Sequence, residues 1–221
     1  YYEWILDYLA SHDTRDSILL SDCYYYAGTY KYLTDSYDES KGLLHKSINY
    51  RLAKDSIDDI YARARTNLAL SYLYSGQTEQ ARENLELALA TREELFGPDS
   101  PLLLRTLLNL SALYIDMSMY ERALSVSVRG IQMAEEYPDV IDNERLASLY
   151  YNTGVSYMNI FDFYRAKRNF ELAYSIFTGK SDVNVVDKLR SFLSLAACNF
   201  ELQNIEESEY YFNEALKLVD S

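Results

Sequence analysis

Apolar positions recur along this chain at helical rather than strand spacing, and the pattern as a whole repeats. In residues 62–101 the small residue Ala69 is followed three positions on by Tyr72, Gly76 interrupts the run, and Ala81 leads a second run with Leu85, Ala88 and Leu89. Residues three and four apart share one helical face, so this stretch predicts two amphipathic helices joined by a tight turn. Counterparts of Ala81 stand at Ser40, Ala123, Ala166 and Ser208, at spacings of 41, 42, 43 and 42 residues. Five copies at so steady a period predict stacked helix pairs, each burying its apolar face against its neighbours.

The whole of 1–221 reads as a single repeat domain, because no Pro- or Gly-rich linker divides it. A leading helix is expected over 1–12, where Trp4, Ile5, Tyr8 and Leu9 share a stripe, followed by repeats at 16–55, 57–97, 100–138, 141–179 and 182–220. Ser36 with Glu39, and Ser118 with Glu121, have the spacing of capping boxes at the start of second helices. Gly97 and Pro98 should end the second repeat, Ser100 and Pro101 should open the third, and Pro138 should close it. In the fifth copy Asn199 replaces the aromatic residue that follows the small one, as at Tyr72 and Tyr157. The last helix offers Phe212, Leu216 and Val219 with no polar helix after them. They are expected to be covered by further chain of a larger protein or by self-association through the C-terminal helix.

The order read in Ala69, Tyr72, Gly76, Ala81, Leu85 and Ala88, and again in Gly154, Tyr157, Ala166, Phe170 and Ala173, resembles the tetratricopeptide repeat (TPR). The typical repeat is about 34 residues long. The longer copies here resemble those of kinesin light chains and of peptide-sensing bacterial TPR regulators. The Trp that the family carries early in the first helix is replaced by Tyr24, Arg65, Leu107, Tyr150 and Phe192. The resemblance implies an all-α, right-handed superhelical TPR solenoid of antiparallel helix pairs. It also implies a protein- or peptide-binding module of a larger protein, gripping an extended segment in a concave groove lined by first helices. The alternative is a peptide-responsive sensor region that switches an attached transcription-factor, phosphatase or protease-type effector.

Charge narrows the partners. Lys and Arg number 21 against 34 Asp and Glu, a formal charge of −13. Such a chain repels phosphate, which argues against nucleic acid or a membrane surface as the partner of this segment. No apolar run is long enough to cross a bilayer and no signal peptide opens the sequence. Cys23 and Cys198 fit no metal-ligand spacing and read as reduced core thiols of a cytoplasmic protein.

No catalytic, cofactor or metal constellation is visible. His12 and His45 are isolated, and paired carboxylates such as Glu93-Glu94, Glu135-Glu136 and Glu206-Glu207 read as a solvated face. The chain is therefore expected to be non-enzymatic and to need no cofactor. Tyr25, Tyr32, Tyr74 and Tyr151 fall off the packing stripe and are expected either to present rings to a groove or to pack in the core or at helix edges. Asn67, Asn109 and Asn152 stand in register two residues before the small residue of three first helices. One turn earlier come Arg63 and Arg105, with Arg190 at the same place in the fifth copy and Ser148 in the fourth. An Asn at this site resembles the ladder with which some TPR proteins hold a peptide backbone, since a carboxamide both donates and accepts. The guanidinium groups would add recognition of acidic segments. The same residues have another use, in which Asn packs between helices and Arg pairs with nearby Glu.

Overall fold

A computed structural model describes residues 17–140, 142–178 and 185–219. The leading helix expected over 1–12 lies outside them. The regular structure among the described residues is helical, with no strand. Its helices are α1 (Ser17–Leu33), α2 (Tyr37–Leu52), α3 (Asp59–Tyr74), α4 (Thr78–Phe96), α5 (Leu104–Asp116), α6 (Tyr120–Glu136), α7 (Asn143–Asn159), α8 (Phe163–Thr178), α9 (Val185–Glu201) and α10 (Ile205–Val219). The chain forms two compact units, Tyr1–Thr106 and Leu107–Ser221. Within the first, α1 packs on α2, α2 on α3 and α3 on α4, and α1 also meets α3. In the second, α6 through α10 pack each on the next, and α7 meets α9. This is an all-α repeat of antiparallel helix pairs.

The turn inside each pair is one motif repeated five times. A residue in the left-handed region stands at Asp35, Gly76, Ser118, Phe161 and Gln203, each five positions before the small residue of the second helix. The amide of the following residue bonds back to the carbonyl five before it: Ser36 to Lys31, Gln77 to Tyr72, Met119 to Tyr114, Asp162 to Tyr157 and Asn204 to Asn199. These bonds satisfy carbonyls that a helix end would otherwise strand, as in a Schellman motif. The same geometry removes both expected capping boxes. Ser36 makes no side-chain cap bond and its hydroxyl turns to the Thr34 carbonyl, while Ser118 takes the left-handed position itself, with φ 58°, so that Met119 precedes the helix.

First helices begin differently. Asp58 accepts from the Tyr61 amide at 3.0 Å and Asp142 from that of Arg145 at 2.9 Å, so acidic side chains cap α3 and α7. Gly97, at φ 87°, ends α4. Ser100 and Pro101 open the next segment as expected, but its first turn, Pro101–Leu103, is a 3₁₀ helix that leads into α5.

Small residues sit where neighbouring helices come closest. Ala81, Ala123 and Ala166 are fully buried. A Cβ added to Gly28 would lie 2.7 Å from Leu44, one on Gly154 2.7 Å from the Phe170 ring, and one on Gly130 2.9 Å from Leu149. Where the small position is serine, its hydroxyl fills the contact: Ser40 donates to the Gly28 carbonyl at 2.8 Å and Ser208 to that of Ala196 at 2.9 Å. Leu44, Ile48, Tyr61, Ala64 and Leu68 form a core in the first unit; Ala166, Phe170, Leu195 and Cys198 form one in the second. In the fifth copy Asn199 is buried, donating to the Leu195 carbonyl at 3.0 Å and accepting from Lys167 Nζ at 2.8 Å. A polar residue thus replaces an aromatic one without leaving its carboxamide unpaired.

Candidate functional site

The asparagine register holds first helices together. Asn67 on α3 is buried, and its Nδ2 donates to Thr29 Oγ1 on α1 at 2.9 Å. Asn152 on α7 is half-buried and donates to Ser111 Oγ on α5 at 2.7 Å. Asn109 is half-buried on α5. The packing use of this position is therefore the one seen at Asn67 and Asn152, because a carboxamide between two adjacent first helices finds a hydroxyl within reach. Their Nδ2 atoms are committed before any ligand arrives.

In the first unit, charged and aromatic groups gather on α1, α3 and the start of α5. Arg63 is half-exposed and donates from Nε to Asp59 Oδ2 at 2.6 Å, one turn back on α3. Arg105 is exposed. Between them in chain order comes Arg92 on α4, almost wholly buried, with Nε 3.4 Å from Asp59 Oδ1 and Nη1 donating to Thr106 Oγ1 at 2.7 Å. Burial holds the Arg92 guanidinium below arginine's ordinary pKa; Asp59 opposes this, and Arg105 and Arg63 add to it. One carboxylate thus serves two guanidinium groups, with a third close by.

The tyrosines divide. Tyr25 takes the packing alternative and does not present its ring to a groove. It is only 6% exposed and belongs to the core with Leu44, Ile48 and Leu68, because α1 turns it inward onto α2 and α3. Tyr32 and Tyr74 join Tyr37 in a trio at the turn end of the first two pairs, with Tyr37 stacked on Tyr74 at 5.3 Å and Tyr32 at 6.1 Å from Tyr74. Burial, then Tyr74, raises the pKa of Tyr32, and the hydrogen bond from the Tyr37 hydroxyl to Asp35 pushes Tyr37 up to about 12. Tyr74 remains 61% exposed.

In the second unit, Arg190 on α9 lies over the Tyr151 ring, 4.6 Å from its centroid, a cation–π contact. Tyr151 packs its ring against Phe170 at 5.3 Å. Ser148, Tyr151, Asn152, Phe177, Asp187 and Arg190 line a recess of about 60 Å³. That volume holds about two waters, enough for the tip of a side chain.

Sequence reasoning missed Arg92, Asp59 and Tyr37. A signal existed for the first: Arg51 and Arg92 stand 41 residues apart, in step with Ser40 and Ala81. Among the described residues no helix is long and apolar enough to cross a membrane, and no His, Cys, Asp or Glu group could hold a metal ion.

The tetratricopeptide repeat family model matches residues 60–136, which hold α3 to α6. The solved structure of BtubC (BKLC) from P. vanneervenii superposes with a TM-score of 0.79 at 20% identity, over 97% of this chain and 85% of that one. Nearly identical TPR-like repeats of a Podosopora anserina putative kinesin light chain superpose at 0.72 with 15% identity, over 93% and 97%. The apo form of RapI gives 0.78 at 18% identity over 99% of this chain, which spans 58% of RapI. No curated protein sequence matches the chain. The likeness to these structures is one of fold, and the fold is the tetratricopeptide type, found generally in protein-interaction modules.

Proposed function

We propose that this tetratricopeptide-type array is a non-enzymatic binding module of a larger protein, taking an extended peptide segment of a partner on its first helices. The observation that carries the reading is where the cations lie. In a chain of net charge −13, Arg63, Arg105 and Arg190 all stand on first helices, Arg63 against the buried Tyr25, Arg105 near the half-buried Tyr32 and Arg190 over the half-buried Tyr151. Arginine and tyrosine offer large contact area with directed hydrogen bonds, the combination enriched where protein surfaces bind. In the first unit the contact face would comprise Arg63, Arg105, Tyr32 and Tyr74. In the second it would comprise Tyr151, Asn152 and Arg190, whose recess takes one side-chain tip.

Asn109 enters as a contact to ligand main chain. Asn67 and Asn152, whose Nδ2 atoms are engaged between helices, would offer a carbonyl oxygen to a ligand amide rather than a complete two-way pair. Tyr25 would support the face from beneath.

The test is selection of binders from a random peptide display library, followed by calorimetric titration of the best peptide. Arg105→Ala, Arg190→Ala and Asn109→Ala should each weaken it by about fivefold or more, the scale of one hydrogen bond of 1 kcal/mol or above. Arg82→Ala, on the second helix α4, should leave affinity unchanged. Equal affinity across all four variants would refute the proposed face.

A further inference from the structure

Arg51 and Arg92 occupy the same place in successive second helices, and both side chains are sealed, at 2% and 5% exposure. Each leaves its Nε without a hydrogen-bond partner. Their surroundings differ in one respect. Arg51 is gripped by two carboxylates, Asp22 on α1 and Asp58 at the cap of α3. Arg92 has the single carboxylate of Asp59, at 3.4 Å, and otherwise a neutral hydroxyl on Thr106. That carboxylate is also bonded to Arg63 at 2.6 Å, and Arg105 is the next residue to Thr106. The ratio is two carboxylates to one guanidinium at Arg51 and one carboxylate to two at Arg92, before Arg105 is added.

A buried cation is costly unless anions surround it, and the second repeat falls short of what the first supplies. We propose that this shortfall marks a binding site: the accessible Arg63 and Arg105 seat a carboxylate side chain of an acidic peptide segment, the buried Arg92 beneath them adds positive potential, and Asp59 is the internal stand-in for that carboxylate. The proposal rests on the peptide-binding reading above and names the chemistry of the segment. Guanidinium groups pair with carboxylates through paired N–H donors, which suits a ligand of this class. The surplus of acidic residues elsewhere opposes a long polyanion such as nucleic acid. It acts weakly on one carboxylate held by Arg63 and Arg105, because salt screens charges beyond about 8 Å.

The role of Asp59 makes the test sharp. If it only neutralises Arg92, removing its charge weakens the fold and gains nothing for binding. If it competes with a ligand carboxylate, its removal tightens binding. Fluorescence anisotropy of labelled hexaglutamate on the 221-residue chain, with hexaglutamine as the neutral probe, reads the difference. Hexaglutamate should bind at least about tenfold more tightly than hexaglutamine, and Arg105→Gln should abolish most of that preference, as expected for charge-assisted bonds. Arg105 is exposed, so this variant leaves the core alone. Asp59→Asn should tighten hexaglutamate severalfold while lowering the melting temperature of the free protein. No preference for hexaglutamate, or unchanged or weaker binding in Asp59→Asn, overturns the proposal. Displacement of hexaglutamate by an equal concentration of inorganic phosphate overturns the peptide assignment and makes this a small-anion site. Display-selected peptides that bind without acidic residues would leave the peptide reading standing and remove this one. Absence of any peptide binder would remove both.

Discussion

Asn67 donates to Thr29 across 2.9 Å, joining the third helix to the first from a position 94% buried. The bond makes a residue of ligand-binding type into part of the frame. Asn67→Ala should therefore destabilise the protein by about 1–2 kcal/mol, from the lost bond and the space left between the helices, while the Thr29 hydroxyl keeps its bond to the Tyr25 carbonyl. Chemical denaturation of Asn67→Ala beside Thr29→Val measures it. A loss of under about 0.3 kcal/mol would mean that the carboxamide is solvated in solution.

The five left-handed turns give a second prediction, of opposite sign at different copies. Gly76 has φ 75°, and nothing lies within 4 Å of where its Cβ would stand, so Gly76→Ala meets backbone strain alone, costing about 1 kcal/mol. Phe161 holds the same place at φ 64° and is 80% exposed. Phe161→Gly should relieve strain and raise stability by about 0.5–1 kcal/mol, net of the glycine's own entropy. Asp35→Gly should change little, since aspartate tolerates this conformation. Thermal melts should place Phe161→Gly highest, Asp35→Gly near the unaltered chain and Gly76→Ala lowest, and a destabilised Phe161→Gly would show that its edge contact with Phe163 outweighs the backbone strain.

The close helix contacts predict an asymmetry between faces. Ala81→Leu or Ala166→Leu forces bulk into sites of zero exposure, and overpacking typically costs about 1–3 kcal/mol. Glu83→Leu, two residues along on the exposed side of α4, should cost under about 0.5 kcal/mol. Similar losses at all three sites in denaturation curves would contradict the assignment of faces.

These contacts were legible in the sequence because close packing tolerates few residue types. Ala81, Ala123 and Ala166 kept the period visible, and Ser40 and Ser208 fit it because a hydroxyl can bond the opposing carbonyl. The turns were less legible. Ser36 and Ser118 match the capping-box pattern, yet each second helix starts directly from the Schellman turn of the first. The left-handed residue is glycine only at Gly76, so composition alone did not mark the other four. Tyr25 and Arg92 were hidden for another reason: a tyrosine or arginine is amphipathic, and its burial is set by helices that come from other parts of the chain. Charge on a second helix reads as solvated until Asp59 and Thr106 are seen to close over it.

Burial pushes the Cys198 thiol up, to about 11 from 9.0, with Lys167 lowering it and Glu201 raising it to lesser degrees. The folded state thus keeps its proton where the unfolded chain loses it. This contribution is complete below pH 9 and is lost as pH rises toward 11, amounting to about 1–3 kcal/mol. Denaturation midpoints between pH 8 and 11 should fall less in Cys198→Ala than in the natural chain. Parallel slopes would show that the thiol titrates alike in both states.

The central claim, that first helices carry the binding face, is tested most directly by two-dimensional NMR of the arginine Nε–Hε and asparagine side-chain amide signals. A display-selected peptide would be titrated in. Arg63, Arg105, Arg190 and Asn109 should shift and saturate with the calorimetric affinity, while Arg82, paired with Glu79 and Glu86 on a second helix, should stay in place. Saturating shifts at Arg82 with Arg63, Arg105 and Arg190 unmoved would contradict the account.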